Sequence, residues 1–254
     1  MSGIVVVDYH KGNLLSVVRG LADAGAEAVA SDDPATIRDA SGVVLPGVGS
    51  FEDAMDYMRE SGEDVAVLDA IGRGVPFLGI CLGLHLLFER GDERSAAACG
   101  APAGGVSGVA AGRAEDGRWV AGLGVIPGSC TRLVPTGCGA KPGRPTSLKV
   151  PHVGWDQLML TSHGLACPLF AGVAQGANFY FTHSYAVDGD VPAEYVAGRT
   201  HYVRSFASAV WKGNVFGVQF HPEKSSAMGR RILENYVAMV RAGGVGGAAG
   251  EGAA

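Results

Sequence analysis

The 254-residue chain has no apolar run of about 18 residues, so nothing in it reads as a membrane-spanning helix. It has no basic excess either. Twenty Lys and Arg stand against 25 Asp and Glu, a net charge of −5, and no basic stripe marks a nucleic-acid surface. The opening residues MSGIVVVDYH lack the basic and apolar regions of a signal peptide. The five cysteines (Cys81, Cys99, Cys130, Cys138 and Cys167) include no C-x-x-C pair, which fits neither a zinc site nor a disulfide framework. No internal repeat is present. The expectation is a soluble, cytoplasmic protein with no metal, no cofactor, no nucleic-acid partner and no membrane contact.

What is present is a globular composition, 47% apolar and 18% charged. Short apolar runs at Ile4 to Asp8, Ala28 to Ser31, Gly42 to Leu45 and Pro76 to Ile80 read as strands. Helical spacing follows at Leu14 to Ala24, at Phe51 to Arg59 with Ser50 as N-cap, and at Leu82 to Arg90. Strands alternating with helices predict an α/β fold: an open, mainly parallel central sheet flanked by helices, of the flavodoxin-like kind. Additional strands are expected in the C-terminal half, at Phe179 to Ala186, Ala207 to Trp211 and Asn214 to Phe220, with a closing helix over Met228 to Val240. Residues 1–242 read as one domain. Within it, 95–117 is an Ala/Gly-rich insertion, and 243–254 is a Gly/Ala tail expected to be disordered.

The strongest chemical signal is Gly79-Ile-Cys81-Leu-Gly83, lying between a strand and a helix. This is a cysteine version of the nucleophile elbow, in which small neighbours permit a tight, strained turn. The thiol sits at a helix N-terminus, where free N–H groups favour a thiolate and can stabilise an oxyanion, the Leu82 N–H among them. A buried structural cysteine between loop glycines is the plainer reading of the pentapeptide alone; the flanking strand and helix favour catalysis.

Gln219-Phe220-His221-Pro222-Glu223 ends another apolar run. Residues two apart on extended backbone point the same way, so Glu223 can orient His221 and stabilise its cation. An imidazole near neutrality suits the activation of a thiol. Cys81, His221 and Glu223 thus form a candidate triad. Pro46-Gly47-Val48-Gly49-Ser50 follows a strand and precedes a helix. Gly47 and Gly49 permit a peptide flip that presents the Val48 N–H as a second oxyanion donor. An ordinary βα turn is the alternative. A nucleotide loop is disfavoured, because both the G-x-G-x-x-G pattern and the Walker lysine are missing.

Together these segments resemble the class I (triad) glutamine amidotransferases, and within them the glutaminase subunits of imidazole glycerol phosphate synthase, the HisH family. Asp8-Tyr9-His10-Lys11-Gly12-Asn13-Leu14 is similar to that family's opening D-Y-G-x-G-N-L, and Leu45-Pro-Gly-Val-Gly-Ser-Phe51 to its P-G-V-G oxyanion strand. Gly122-Leu-Gly-Val-Ile-Pro-Gly128, Lys149-Val-Pro-His152-Val-Gly-Trp155, Phe179-Tyr-Phe-Thr-His183-Ser-Tyr185 and Gly217-Val-Gln-Phe-His221-Pro-Glu-Lys-Ser225 resemble further runs of the family. Two positions depart. His85 stands where the family elbow has a glutamine close to the substrate, and His10 stands where the opening has glycine.

The resemblance implies hydrolysis of L-glutamine and transfer of ammonia to a (βα)8-barrel cyclase, HisF, in a heterodimer of histidine biosynthesis. It implies Gly49, Gly83, His85, His183, Ser184 and Tyr185 as substrate-binding residues. It also implies Asn13, Trp155, His183, Tyr185 and Lys224 as residues at the partner interface. The alternatives are a stand-alone cysteine hydrolase, a non-catalytic binding subunit and a subunit of a different class I amidotransferase.

Overall fold

The computed structural model of the chain describes residues 3–10, 14–94, 118–134 and 148–244. Asn13, Cys99, Cys138, the 95–117 segment and residues 245–254 of the tail lie outside the described residues.

The first half alternates as expected: β1 (Ile4–Val7), α1 (Leu14–Asp23), β2 (Ala28–Ser31), α2 (Pro34–Arg38), β3 (Gly42–Leu45), α3 (Phe51–Ser61), α4 (Glu63–Gly72), β4 (Phe77–Ile80) and α5 (Leu82–Leu86). Then come β5 (Phe88–Gly91), β6 (Val120–Ala121), β7 (Ile126–Arg132), β8 (His152–Leu160), α6 (Ser162–Ala166), β9 (Ala177–His183) and β10 (Tyr185–Val187). The rest is β11 (Val196–His201), β12 (Ser205–Lys212), β13 (Val215–Val218) and α7 (Ser226–Arg241).

The main sheet has nine strands in the order β2-β1-β3-β4-β13-β12-β11-β8-β9. From β2 to β13 the pairings are parallel, and from β13 to β9 they are antiparallel. The central parallel strands are buried on both faces, which is why they read as unbroken apolar runs. Strand alternation divides β1 between two cores. Val5 and Val7 join Phe51 and Met55 of α3, while Ile4 and Val6 join Val17 and Leu21 of α1 and Leu233 of α7. Ser50 caps α3 by accepting from the Asp53 N–H, and Gly62 closes it at φ +80. The Tyr236 hydroxyl on α7 lies 2.9 Å from both the Val43 and the Pro76 carbonyls, so it fixes the helix against the sheet.

A second, four-stranded sheet has the order β10-β7-β5-β6 and accounts for two differences from expectation. The helix expected over Leu82 to Arg90 stops at Leu86, because Phe88 and Arg90 pair with β7. The strand expected over Phe179 to Ala186 breaks at Ser184: β9 pairs with β8 in the large sheet, β10 with β7 in the small one. Tertiary pairing overrides local preference in both cases. Among the described residues, no helix is long and apolar enough to cross a membrane.

Candidate active site

β4 and β13 are parallel neighbours with Ile80 opposite Val218. Both therefore deliver their next residues to the crevice outside the carboxyl ends of the sheet, the place where open α/β sheets carry their sites. The Cys81 N–H donates to the Val218 carbonyl at 2.8 Å and continues the ladder into the elbow. Cys81 adopts φ +55, ψ −104, outside the regions favoured by residues with a Cβ. Such strain costs about 1–3 kcal/mol and persists only where the surroundings enforce it. Here the enforcement comes from close backbone packing. A Cβ on Gly83 would lie 1.7 Å from the Leu45 carbonyl oxygen, and one on Gly79 would lie 2.5 Å from the Gly83 oxygen.

β13 leads through Gln219 and Phe220 to His221, whose Nδ1–H donates to Glu223 Oε1 at 2.9 Å. That leaves Nε2 as the ring nitrogen for chemistry. Both side chains are buried. Burial alone would push His221 toward neutrality. The charge of the Cys81 sulfur and the Glu223 carboxylate outweigh it and raise the ring well above the ordinary histidine value. His221 Nε2 makes no hydrogen bond to any described residue in this state. The sulfur has other neighbours: Sγ lies 3.9 Å from the Thr182 carbonyl oxygen and 3.8 Å from Gln219 Nε2. Cys81, His221 and Glu223 are therefore brought together and electrostatically coupled, without a hydrogen bond from the imidazole Nε2 to the sulfur.

The oxyanion loop is clamped from beneath. Tyr9, fully buried, donates its hydroxyl to the Pro46 carbonyl at 2.8 Å, and a side chain at Gly47 would collide with that hydroxyl. This is what the aspartate–tyrosine opening of the sequence does for the site. Gly49 sits at φ +117, a conformation suited to glycine. The Leu82 N–H, expected as the elbow donor, is occupied: it donates to the Gly47 carbonyl at 3.4 Å. The loop must move before that N–H can meet an oxyanion.

A pocket of about 250 Å³ opens over Cys81. Val48, Gly49, Leu82, His85, His183, Ser184 and Tyr185 are among the residues that line it. Gly83 does not line it. It packs against the Leu45 carbonyl. His183 faces inward. Only 6% exposed, it donates from Nδ1 to the Tyr185 carbonyl at 2.7 Å and meets His152 Nδ1 through Nε2 at 3.1 Å. The β8–β9 register sets those two histidines opposite each other and turns His183 inward. Burial, opposed by the Tyr185 bond, takes His183 down to about 3, so its ring is neutral. Trp155, 53% exposed, and Lys224 are on the surface.

Sequence reasoning did not single out Glu93, which also lines the pocket. Burial pushes its carboxyl up to about 7, against a hydrogen bond from the Phe51 backbone. No spacing signal marked it, since it arrives on the loop after β5. Among the described residues, no group of three or more His, Cys, Asp or Glu side chains is placed to hold a metal ion.

The sequence model of the family described as glutamine amidotransferase class-I matches residues 5–240. The chain is 41% identical to the imidazole glycerol phosphate synthase subunit HisH of Moorella thermoacetica, over 96% of this chain and 98% of that protein. It is 41% identical to the HisH of Symbiobacterium thermophilum, over 94% and 95%. The fold is similar to a crystal structure of a glutamine amidotransferase, with a TM-score of 0.61 at 17% identity, covering 94% of this chain and 100% of that one. It is also similar to a putative GMP synthase subunit from Thermoplasma acidophilum, with a TM-score of 0.59 at 16% identity, covering 94% and 93%.

Proposed function

The chain belongs to the class I glutamine amidotransferase family, and from that premise we propose that it is the glutaminase subunit of an imidazole glycerol phosphate synthase. It hydrolyses L-glutamine to glutamate and ammonia in the cytoplasm and passes the ammonia to a (βα)8-barrel cyclase, HisF. The observation that carries the chemistry is the juxtaposition of Cys81, on a strained elbow, with the buried His221–Glu223 pair delivered by the neighbouring strand.

Cys81 Sγ attacks the carboxamide carbon of glutamine, and the carbonyl electron pair moves to oxygen. The Leu82 N–H, once released by Gly47, and the Val48 N–H stabilise that oxyanion. As it collapses, the C–N bond breaks and His221 Nε2–H, carrying the proton taken from the Cys81 thiol, protonates the leaving NH₂ group, which departs as ammonia and leaves a thioester. His221 then takes a proton from water, which attacks the thioester. The C–S bond breaks with its electron pair going to sulfur, glutamate leaves, and the proton on His221 Nε2 is shared with or returned to Cys81 Sγ, which restores the starting pair. Glu223 holds the ring and its charge throughout without accepting the proton. Glu223→Gln is therefore expected to slow kcat by about 10⁴-fold and His221→Ala by about 10⁶-fold. Equal losses in the two variants, measured as glutamate release by the complex, would make Glu223 itself the base.

Glu93 lines the pocket, and its carboxylate is our candidate partner for the α-ammonium of glutamine. In the free protein its carboxyl titrates at about 7. Below that pH it is neutral and cannot form the pair; above it, the charge is present. KM for glutamine should therefore rise as the pH falls from about 8 to about 6, with kcat changing less. Glu93→Gln should raise KM about 10- to 100-fold and flatten this pH dependence. A variant that keeps the wild-type slope of KM against pH would rule Glu93 out.

The Gly47 carbonyl on the Leu82 N–H supports a resting state that a partner relieves. Trp155 on β8 packs edge-on against Tyr180 at 6.1 Å, and the Tyr180 carbonyl accepts from the His221 N–H at 2.9 Å, which links that exposed face to the base. Glutamate release by the free chain is expected to rise at least about 10²-fold when the barrel cyclase and its ligand are added. Trp155→Ala and Lys224→Ala should each weaken the complex, Trp155→Ala by about 2 kcal/mol. Full activity in the free chain would overturn the dependence on a partner. Unchanged affinity and stimulation in both variants would move the interface elsewhere.

A further inference from the structure

Two side chains beside the sulfur have no part in the triad. His85 on α5 is 3% exposed, and Gln219, just beyond β13, is 0% exposed. The Gln219 amide lies between two partners. Its Oε1 is 2.7 Å from His85 Nε2, and its Nε2 is 3.8 Å from Cys81 Sγ. Only one proton arrangement satisfies both contacts. An amide oxygen accepts and does not donate, so His85 Nε2 carries the hydrogen. Burial takes His85 down to about 4, against the Gln219 bond, so the ring is neutral near pH 7 and Nδ1 is bare. The amide N–H then points at the sulfur. Turning the amide over would need the Nδ1–H tautomer of His85 to accept from its NH₂, and would set the amide oxygen against the sulfur, a contact that a thiol S–H satisfies and a thiolate repels.

We propose that His85 is a positioning residue that locks the Gln219 amide with its N–H toward Cys81 Sγ, so that Gln219 stabilises the thiolate alongside His221. This rests on the reading of Cys81 as the nucleophile. A donor to the charged form of a group favours that form, and an uncharged donor does so without competing for the proton that His221 must move. The other titratable groups around the sulfur are His221 with Glu223 beyond β13, His183 at the end of β9, Tyr185 of β10, Glu93 after β5 and the buried Tyr9 after β1. None of them contacts the Gln219 amide in place of His85. The arrangement also gives a use to the histidine found where the resemblance expects glutamine. Imidazole and primary amide both offer an N–H, and here that N–H orients a neighbour rather than a ligand.

The test is the pH profile of iodoacetamide alkylation at Cys81, read by mass spectrometry of the peptide that carries it, in the full chain. Gln219→Met keeps the length and removes the donor; His85→Phe keeps a buried ring and removes its N–H. Each should slow alkylation about tenfold near neutral pH and move the profile to higher pH. His85→Gln should recover most of the loss seen in His85→Phe. The double variant should be no slower than Gln219→Met alone, because His85 acts through the amide. Multiplicative losses in the double variant, or an unchanged profile in Gln219→Met, would overturn the proposal. A nitrogen NMR measurement on the unaltered protein decides it independently if a variant fails to fold. His85 should be the neutral Nε2–H tautomer from about pH 6 to about pH 8, and an Nδ1–H tautomer refutes the lock. Failure of the underlying reading would look different: glutamine hydrolysis would survive in Cys81→Ala, whatever the alkylation profiles.

Discussion

Cys81→Ala is expected to reduce glutamine hydrolysis by roughly 10⁶-fold, while synthesis from added ammonia by the complex continues. The size follows from the chemistry. The covalent route disappears with the sulfur, and neither His221 nor the oxyanion donors supply a nucleophile in its place. The fold should survive, because alanine meets the same left-handed backbone at position 81 that cysteine already tolerates. Cys81→Gly should be as inactive and more stable than Cys81→Ala by about 1 kcal/mol, the reverse of the usual order, since glycine alone relaxes at φ +55. Glutamate release in both variants, ammonia-dependent turnover, and thermal unfolding check all three statements. Wild-type glutamate release in Cys81→Ala would remove the nucleophile assignment.

Gly83→Ala is expected to damage the fold severely for a change of one methyl group. The added methyl would sit 1.7 Å from the Leu45 carbonyl oxygen and 2.7 Å from its carbon. These are backbone atoms of a central strand and cannot step aside as a flexible side chain can. A loss of about 4 kcal/mol or more is expected, roughly a 10 °C fall in Tm for a chain of this length. Gly72→Ala is the control. It ends α4, has nothing within 4 Å of the new methyl, and should be neutral or stabilising by up to about 1 kcal/mol. Similar unfolding curves for the two variants would mean that the elbow is not packed as described.

The parts of the site that were legible in the sequence are those written locally. The elbow and the His-Pro-Glu segment are short, lie at strand ends, and carry their geometry in neighbouring residues. The parallel strands were legible because burial on both faces leaves an unbroken apolar run. What escaped depends on partners far along the chain. Phe88 to Gly91 continues a helical pattern until β7 captures it. α4 escaped because Val65 and Leu68 are exposed while Ala66, Val67 and Ala70 are buried, which blurs any polar face. Glu93 and the inward turn of His183 follow from a loop position and a strand register that no local pattern states. Gln219 stood in plain view beside His221, and only its distances to His85 and Cys81 gave it work.

The place of β13 between β4 and β12 has a consequence for the chain as it is made. Cys81 and Gln219 are 138 residues apart, so at about 5–20 residues per second the elbow leaves the ribosome on the order of ten seconds before its base. During that interval β4 lacks its β13 neighbour and the thiol lacks His221. A nascent or truncated chain therefore cannot consume glutamine, and the hydrolase switches on only when the last parallel strand closes the edge.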